Sequence, residues 1–118
     1  MPVRSLNSSV LRWPDARTVL SALSTWANQL VIDRPEIQRI GCIGSYARED
    51  AGPGSDLDLV IILKDSDQPF MDRAAAFDTT SLPVPTDLLV YTAEEFERVT
   101  GEPTRFARVL LEEAHWVY

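Results

Sequence analysis

The chain has 118 residues, 45% of them apolar and 25% charged, and 18 acids against 11 Lys and Arg give a net charge of −7. Such a length suits one domain over residues 1–118, with apolar material for a single core and little room for a second. The acidic balance repels phosphate backbones and so argues against nucleic acid as a partner, while it suits solubility and a site that recruits metal cations.

Met1 to Pro14 carries no period and reads as a loosely held arm without the apolar core of a signal peptide. A helix begins near Asp15, a plausible N-cap, with Val19, Leu23, Trp26 and Leu30 at helical spacing and Pro35 just beyond its end. Ile37 to Ile43 reads as a first strand ending at Gly44-Ser45. It holds Cys42, the only cysteine, so no disulfide forms within the chain and a reducing, cytoplasmic compartment is expected. Ser45 to Asp50 fits a short helix before the break at Gly52-Pro53-Gly54. Leu57 to Leu63 is the strongest strand, expected to be central and covered on both faces. It is also the longest apolar run, and far too short to span a bilayer.

Lys64 to Pro69 reads as a turn, Phe70 to Phe77 as a weak helix, Ser81 to Pro85 as a loop and Leu88 to Tyr91 as a third strand with Asp87 at its start. Thr92-Ala93-Glu94-Glu95 has capping-box spacing, with Tyr91 and Phe96 placed as a staple, so a helix follows directly. Gly101 and Pro103 end it, Phe106, Val109, Leu110 and Ala114 mark a last helix, and Trp116 to Tyr118 form a terminal strand or tail. No internal repeat or low-complexity segment interrupts the order. The sum is an α+β fold, one small mixed β-sheet flanked by helices.

The chemistry concentrates in two short stretches, Gly44 to Arg48 and Asp56 to Leu59. Strand side chains alternate, so Asp56 and Asp58 share a face, with carboxylates within ~7 Å of each other. Two anions that close repel, and a hard divalent cation, Mg²⁺ or Mn²⁺, removes the conflict. Leu57 and Leu59 on the opposite face anchor the strand. If the strand opened by Asp87 is a neighbour in register, three carboxylates converge on one sheet edge and form a metal site suited to phosphoryl displacement. Gly44 lets a phosphate approach the backbone, Ser45 offers a cap, a hydroxyl and nearby amides, and Arg48 offsets phosphate charge.

Gly44-Ser45-x-Ala47-Arg48, followed at this spacing by Ser55-Asp56-Leu57-Asp58-Leu59, resembles the signature of the DNA polymerase beta-like nucleotidyltransferases. The chain looks most like the minimal nucleotidyltransferases, small domains often encoded with a helical HEPN partner, and the likeness runs roughly from Asp15 to Tyr118. The resemblance implies a nucleotidyltransferase fold and transfer of a nucleoside monophosphate, AMP from ATP, to an acceptor hydroxyl. It implies that Gly44 and Ser45 bind the triphosphate, that Asp56 and Asp58 hold metal, and that Asp87 completes the site and activates the acceptor. It also points to a tyrosine of a HEPN toxin as acceptor, which would make this chain the antitoxin. The chain departs from the family at Glu49, where glycine is frequent.

Blander readings stand beside these. Arg48 fits a surface helix position as well as a phosphate ligand. Cys42 reads as buried filler, His115 as structural, and Trp13, Trp26 and Trp116 as core or interface. Glu94, Glu95 and Glu97 read as a solvated helix face with capping duties. Tyr46 fits either inward packing or a shield over the nucleotide. Two rivals remain for function: a catalytically silent module that neutralises a partner by contact, and a transferase for an aminoglycoside-like small molecule. The second needs a homo-oligomer or a separate helical chain to build its pocket.

Overall fold

The computed structural model describes residues 13–118. Most of the arm expected over Met1–Pro14 therefore lies outside the described residues. Trp13 and Pro14 do not: Trp13 packs against the main core, and its indole N–H lies 3.4 Å from the Tyr46 hydroxyl. The loose attachment expected for the arm fails for this residue, because a large aromatic beside an apolar cluster gains too much by docking.

Helix α1 runs Ala16–Asp33 and is capped by Asp15, whose carboxylate accepts from the Thr18 N–H. Its stripe of Val19, Leu23, Trp26 and Ala27 is buried. Strand β1 (Ile37–Ile43) leads into the four-residue helix α2 (Ser45–Arg48), and strand β2 covers Leu57–Leu63. Helix α3 (Phe70–Arg73) tightens into a 3₁₀ turn at Ala74–Ala76. Strand β3 spans Thr86–Thr92, so Asp87 lies inside it rather than before it. Helix α4 (Ala93–Thr100) starts on the expected capping box of Thr92 and Glu95. Helix α5 (Arg105–Arg108) opens into a π-helical turn at Val109–Glu113, a widening that apolar spacing does not report, and β4 is His115–Trp116.

The sheet order is β3-β2-β1-β4. β2 and β3 run parallel, while β1 is antiparallel to both β2 and β4, so the sheet is mixed. β2 alternates its side chains between two clusters. Leu57, Leu59, Ile61 and Leu63 face the first, with Val19, Leu23, Trp26, Phe77, Leu82 and Val84. Val60 and Ile62 face the second, with Ile43, Leu110, Phe96, Phe106 and Trp116. That two-sided burial is why β2 is apolar in every position but one.

The tail is held on β1. Ile40 donates to the Tyr118 carbonyl, and the Val117 and Tyr118 amides donate back to Ile40. Trp116 lies over Gly41, where an added Cβ would fall 2.6 Å from the indole, and the Arg39 guanidinium sits 3.7 Å from the indole ring centre. Trp26 is buried with its indole N–H on the Asp78 carbonyl, and Cys42 is fully buried, its thiol pushed up to about 11 by burial.

Two expectations need correction. Helix α2 ends at Arg48 instead of Asp50, because Glu49 turns left-handed at φ 65° and its neighbour's amide closes back on Ser45. Among the described residues Glu49 is the only non-glycine with positive φ. Glu95 is not simply solvated. It pairs through both oxygens with Arg73, whose buried guanidinium also donates to the carbonyls of Gln68 and Val90.

Relief of the left-handed conformation should make Glu49→Gly more stable by about 1 kcal/mol, read as a higher midpoint in urea unfolding. The Arg73 partnership holds the Glu95 carboxyl down at about 2 against an ordinary 4.5. Its contribution is therefore complete above pH 4.5 and is lost as pH falls toward 2. Glu95→Ala strands the buried guanidinium and should cost about 3–5 kcal/mol at neutral pH, with the gap to wild type closing across that acid window.

Candidate active site

The site grows from the register of two parallel strands. Leu57 pairs with Thr86, so Asp58 stands directly opposite Asp87. Residues paired this way project to the same face, here the face of Val60 and Ile62. On its other side Asp58 faces Ile43, the last residue of β1. Asp56, exposed, enters just before β2 and lies close enough to act on Asp58 through its charge.

Asp58 is the half-buried member, while Asp56 and Asp87 are exposed. Burial raises the Asp58 pKa above the usual carboxylate range, the charges of Asp87 and then Asp56 raise it further, and Arg48 pulls it back. Three like charges thus crowd one end of a rigid apolar strand with only a partial counter-charge. Among the described residues no three acidic, imidazole or thiol groups form a ready-made cation cage. The donor set nonetheless fits magnesium, which takes one or two carboxylates and fills its remaining positions with water and substrate phosphates. Asp56 and Asp58, with Asp87 across the register, are the carboxylates gathered at this sheet edge.

Gly44 forms the wall beside Asp58. Its backbone has φ 78°, and a Cβ there would fall 2.7 Å from an Asp58 oxygen. Only glycine meets both conditions. Gly44, not Ser45, is the N-cap of α2, and no side chain caps that helix. The capping role expected of Ser45 therefore does not hold, because the turn out of β1 demands the positive φ one residue earlier. Arg48 is exposed and its Nε lies 3.3 Å from Asp50 Oδ2, so in this structure its guanidinium meets Asp50.

Tyr46 packs inward, 2% exposed, and its hydroxyl lies 3.4 Å from the Ser55 carbonyl. With Trp13 on the same hydroxyl, a chain of contacts ties the start of α1 to the loop that delivers Asp56. A cleft of about 300 Å³ lies beside it, lined by Trp13, Tyr46, Ala51 and Pro53 among others. This brace was missed in the sequence, where nothing but an aromatic residue beside Gly44-Ser45 hinted at it. His115 is exposed on β4, away from the acids in register.

The nucleotidyltransferase domain family matches residues 26–117. The chain belongs to that family. No curated protein matches the sequence. Among solved structures, a Sulfolobus solfataricus protein described as a candidate nucleotidyltransferase superposes with TM-score 0.62 at 18% identity, over 86% of this chain and 80% of that one. A toxin–antitoxin structure with AMP-PNP gives TM-score 0.51 at 18% identity, over 80% of this chain and 72% of that one. A mutant of the toxin–antitoxin MntA-HpeT gives 0.48 at 16% identity, over 80% and 71%. At 18% identity the likeness to the Sulfolobus solfataricus structure shows the fold alone, here a four-stranded mixed sheet flanked by helices.

The raised Asp58 pKa sets a stability test. A carboxyl raised in the folded state favours folding at pH below its unfolded value, and that contribution is lost as pH rises through the folded value. Charged Asp58 therefore weighs against folding at neutral pH. Asp58→Asn should raise the melting temperature of the metal-free protein near neutral pH and lose that advantage in acid. Added magnesium should raise the melting temperature of wild type more than that of the variant.

Proposed function

We propose that this chain transfers AMP from ATP, with magnesium, to an acceptor hydroxyl on a protein partner. The observation that carries the reading is the pairing of Asp58 with Asp87 beside the Cβ-free wall of Gly44. Asp56 and Asp58 would hold a divalent cation, which when bound would supply charge neutralisation for the phosphoryl displacement. Gly44 gives phosphate oxygens access to the backbone, and Ser45 and Arg48 contribute a hydroxyl and a positive charge at the same bend. Asp87 stands exposed on the open side of Asp58, where it orients the acceptor hydroxyl and takes its proton. The acceptor oxygen bonds to the α-phosphorus as the bond to the bridging oxygen breaks, and pyrophosphate leaves.

The likeness to a toxin–antitoxin structure solved with AMP-PNP supports an adenine nucleotide and a protein partner. The sequence resemblance to minimal nucleotidyltransferases supports a HEPN-type partner, a tyrosine as the acceptor, and an antitoxin role. No long apolar helix capable of crossing a membrane is present among the described residues.

The purified chain, a HEPN partner, magnesium and ATP labelled at the α-phosphate should give a labelled partner. Asp56→Ala with Asp58→Ala should lower that transfer roughly 100-fold or more. Undiminished labelling by the double variant would remove the site from the chemistry. Protection of cells by a folded double variant that transfers nothing would favour neutralisation by contact alone.

A further inference from the structure

β3 is an outer strand of the sheet, and its free edge is treated differently along its length. Leu57 donates to the Pro85 carbonyl, and Leu57 is in register with Thr86. In a parallel pair this makes Pro85, Asp87, Leu89 and Tyr91 point their backbone groups inward to β2. Thr86, Leu88, Val90 and Thr92 point theirs outward. At the far end two outward groups are taken by side chains: Arg73 donates to the Val90 carbonyl, and Glu95 accepts from the Thr92 amide. Before the strand, the Val84 carbonyl is taken by the Thr86 hydroxyl. Between these caps, no hydrogen bond from any described residue reaches the outward N–H and C=O of Thr86 and Leu88.

Unpaired strand-edge amides and carbonyls are a template for another extended backbone. The open stretch is short, runs from Thr86 to the Val90 N–H, is bounded on both sides, and spans Asp87. A strand added here would place one residue directly opposite Asp87 with its side chain on the same face, Cβ to Cβ about 5 Å. That face is the one carrying Asp58.

We propose that the acceptor reaches this site as an extended peptide segment that adds to the Thr86–Leu88 edge, its hydroxyl-bearing side chain standing beside Asp87. The inference rests on the transferase reading above and names the form in which the acceptor is presented. The added strand fixes the hydroxyl by backbone hydrogen bonds, so the neighbouring side chains of the acceptor contribute little. The transfer is the one already described: the hydroxyl oxygen bonds to the α-phosphorus, pyrophosphate departs and the proton passes to Asp87.

The probe is a synthetic seven-residue peptide of alternating threonine and valine with a central tyrosine, incubated with the full chain, magnesium and labelled ATP. Binding of AMP-PNP is measured in parallel. Tyrosine labelling is expected. N-methylation of the alternate backbone amides that face the edge should lower it at least about tenfold, whereas methylation of the other set should leave it within about twofold, because only one set meets β3. Thr86→Pro removes an outward N–H without touching the ladder to β2. It should raise KM for the peptide several-fold with AMP-PNP affinity unchanged. Equal loss from both methylation patterns, or AMP-PNP binding without peptide labelling, would overturn strand addition and leave the transferase reading standing. A folded chain that binds no AMP-PNP would overturn both.

Discussion

The parallel pairing of β2 with β3 is the constraint on which the site depends. Once Leu57 is opposite Thr86, Asp58 has no choice but to face Asp87. A slip of one residue would turn Asp58 into the core of Val19, Leu23 and Trp26 and push Leu57 and Leu59 out of it. The register is held by burial on both faces of β2, which amounts to most of the apolar interior of the protein. Repulsion between two carboxylates is small beside that burial. The fold can therefore maintain an electrostatically unfavourable pair.

The same logic accounts for the bend at Gly44. The chain must leave β1, pass within contact distance of Asp58 and start α2 at once. A side chain at Gly44 would collide with the carboxylate, and its backbone angle already lies where only glycine is comfortable. One turn later the chain again turns left-handed, at Glu49, and here it carries a side chain. The glycine that the family resemblance leads one to expect at this position is one the backbone asks for. Glu49 keeps the geometry at a cost in strain, which the contacts of Tyr46 and the Asp50 amide to Ser45 hold in place.

Much of this was legible in the residues. The alternation around Asp58, the two-sided apolarity of β2, the capping box at Thr92 and the cap at Asp15 each report a local rule, and local rules survive folding. The third carboxylate was legible only as a condition, because sequence gives the face of Asp87 on its own strand and not the strand beside it. Arg73 was invisible for a different reason. A guanidinium in a weak helix looks solvated until the helix is laid across β3, where Gln68, Val90 and Glu95 supply its partners. The left-handed angle at Glu49 and the π-helical turn at Val109–Glu113 are backbone choices imposed by packing, with no residue signature of their own.

The Arg73–Glu95 pair bears on the site although it is remote from it. An outer strand with all its polar groups open invites pairing along its whole length, including with other copies of itself. By fastening Val90 and Thr92 to side chains, the pair removes the far half of β3 from that competition. The near half, bounded by the internal bond of Thr86 to Val84, carries Asp87. Buried charge is a costly way to close an edge, and apolar cover would serve the core as well. A guanidinium serves where a single carbonyl must be satisfied and the rest of the strand left accessible, and here the accessible part is the part that bears the acid.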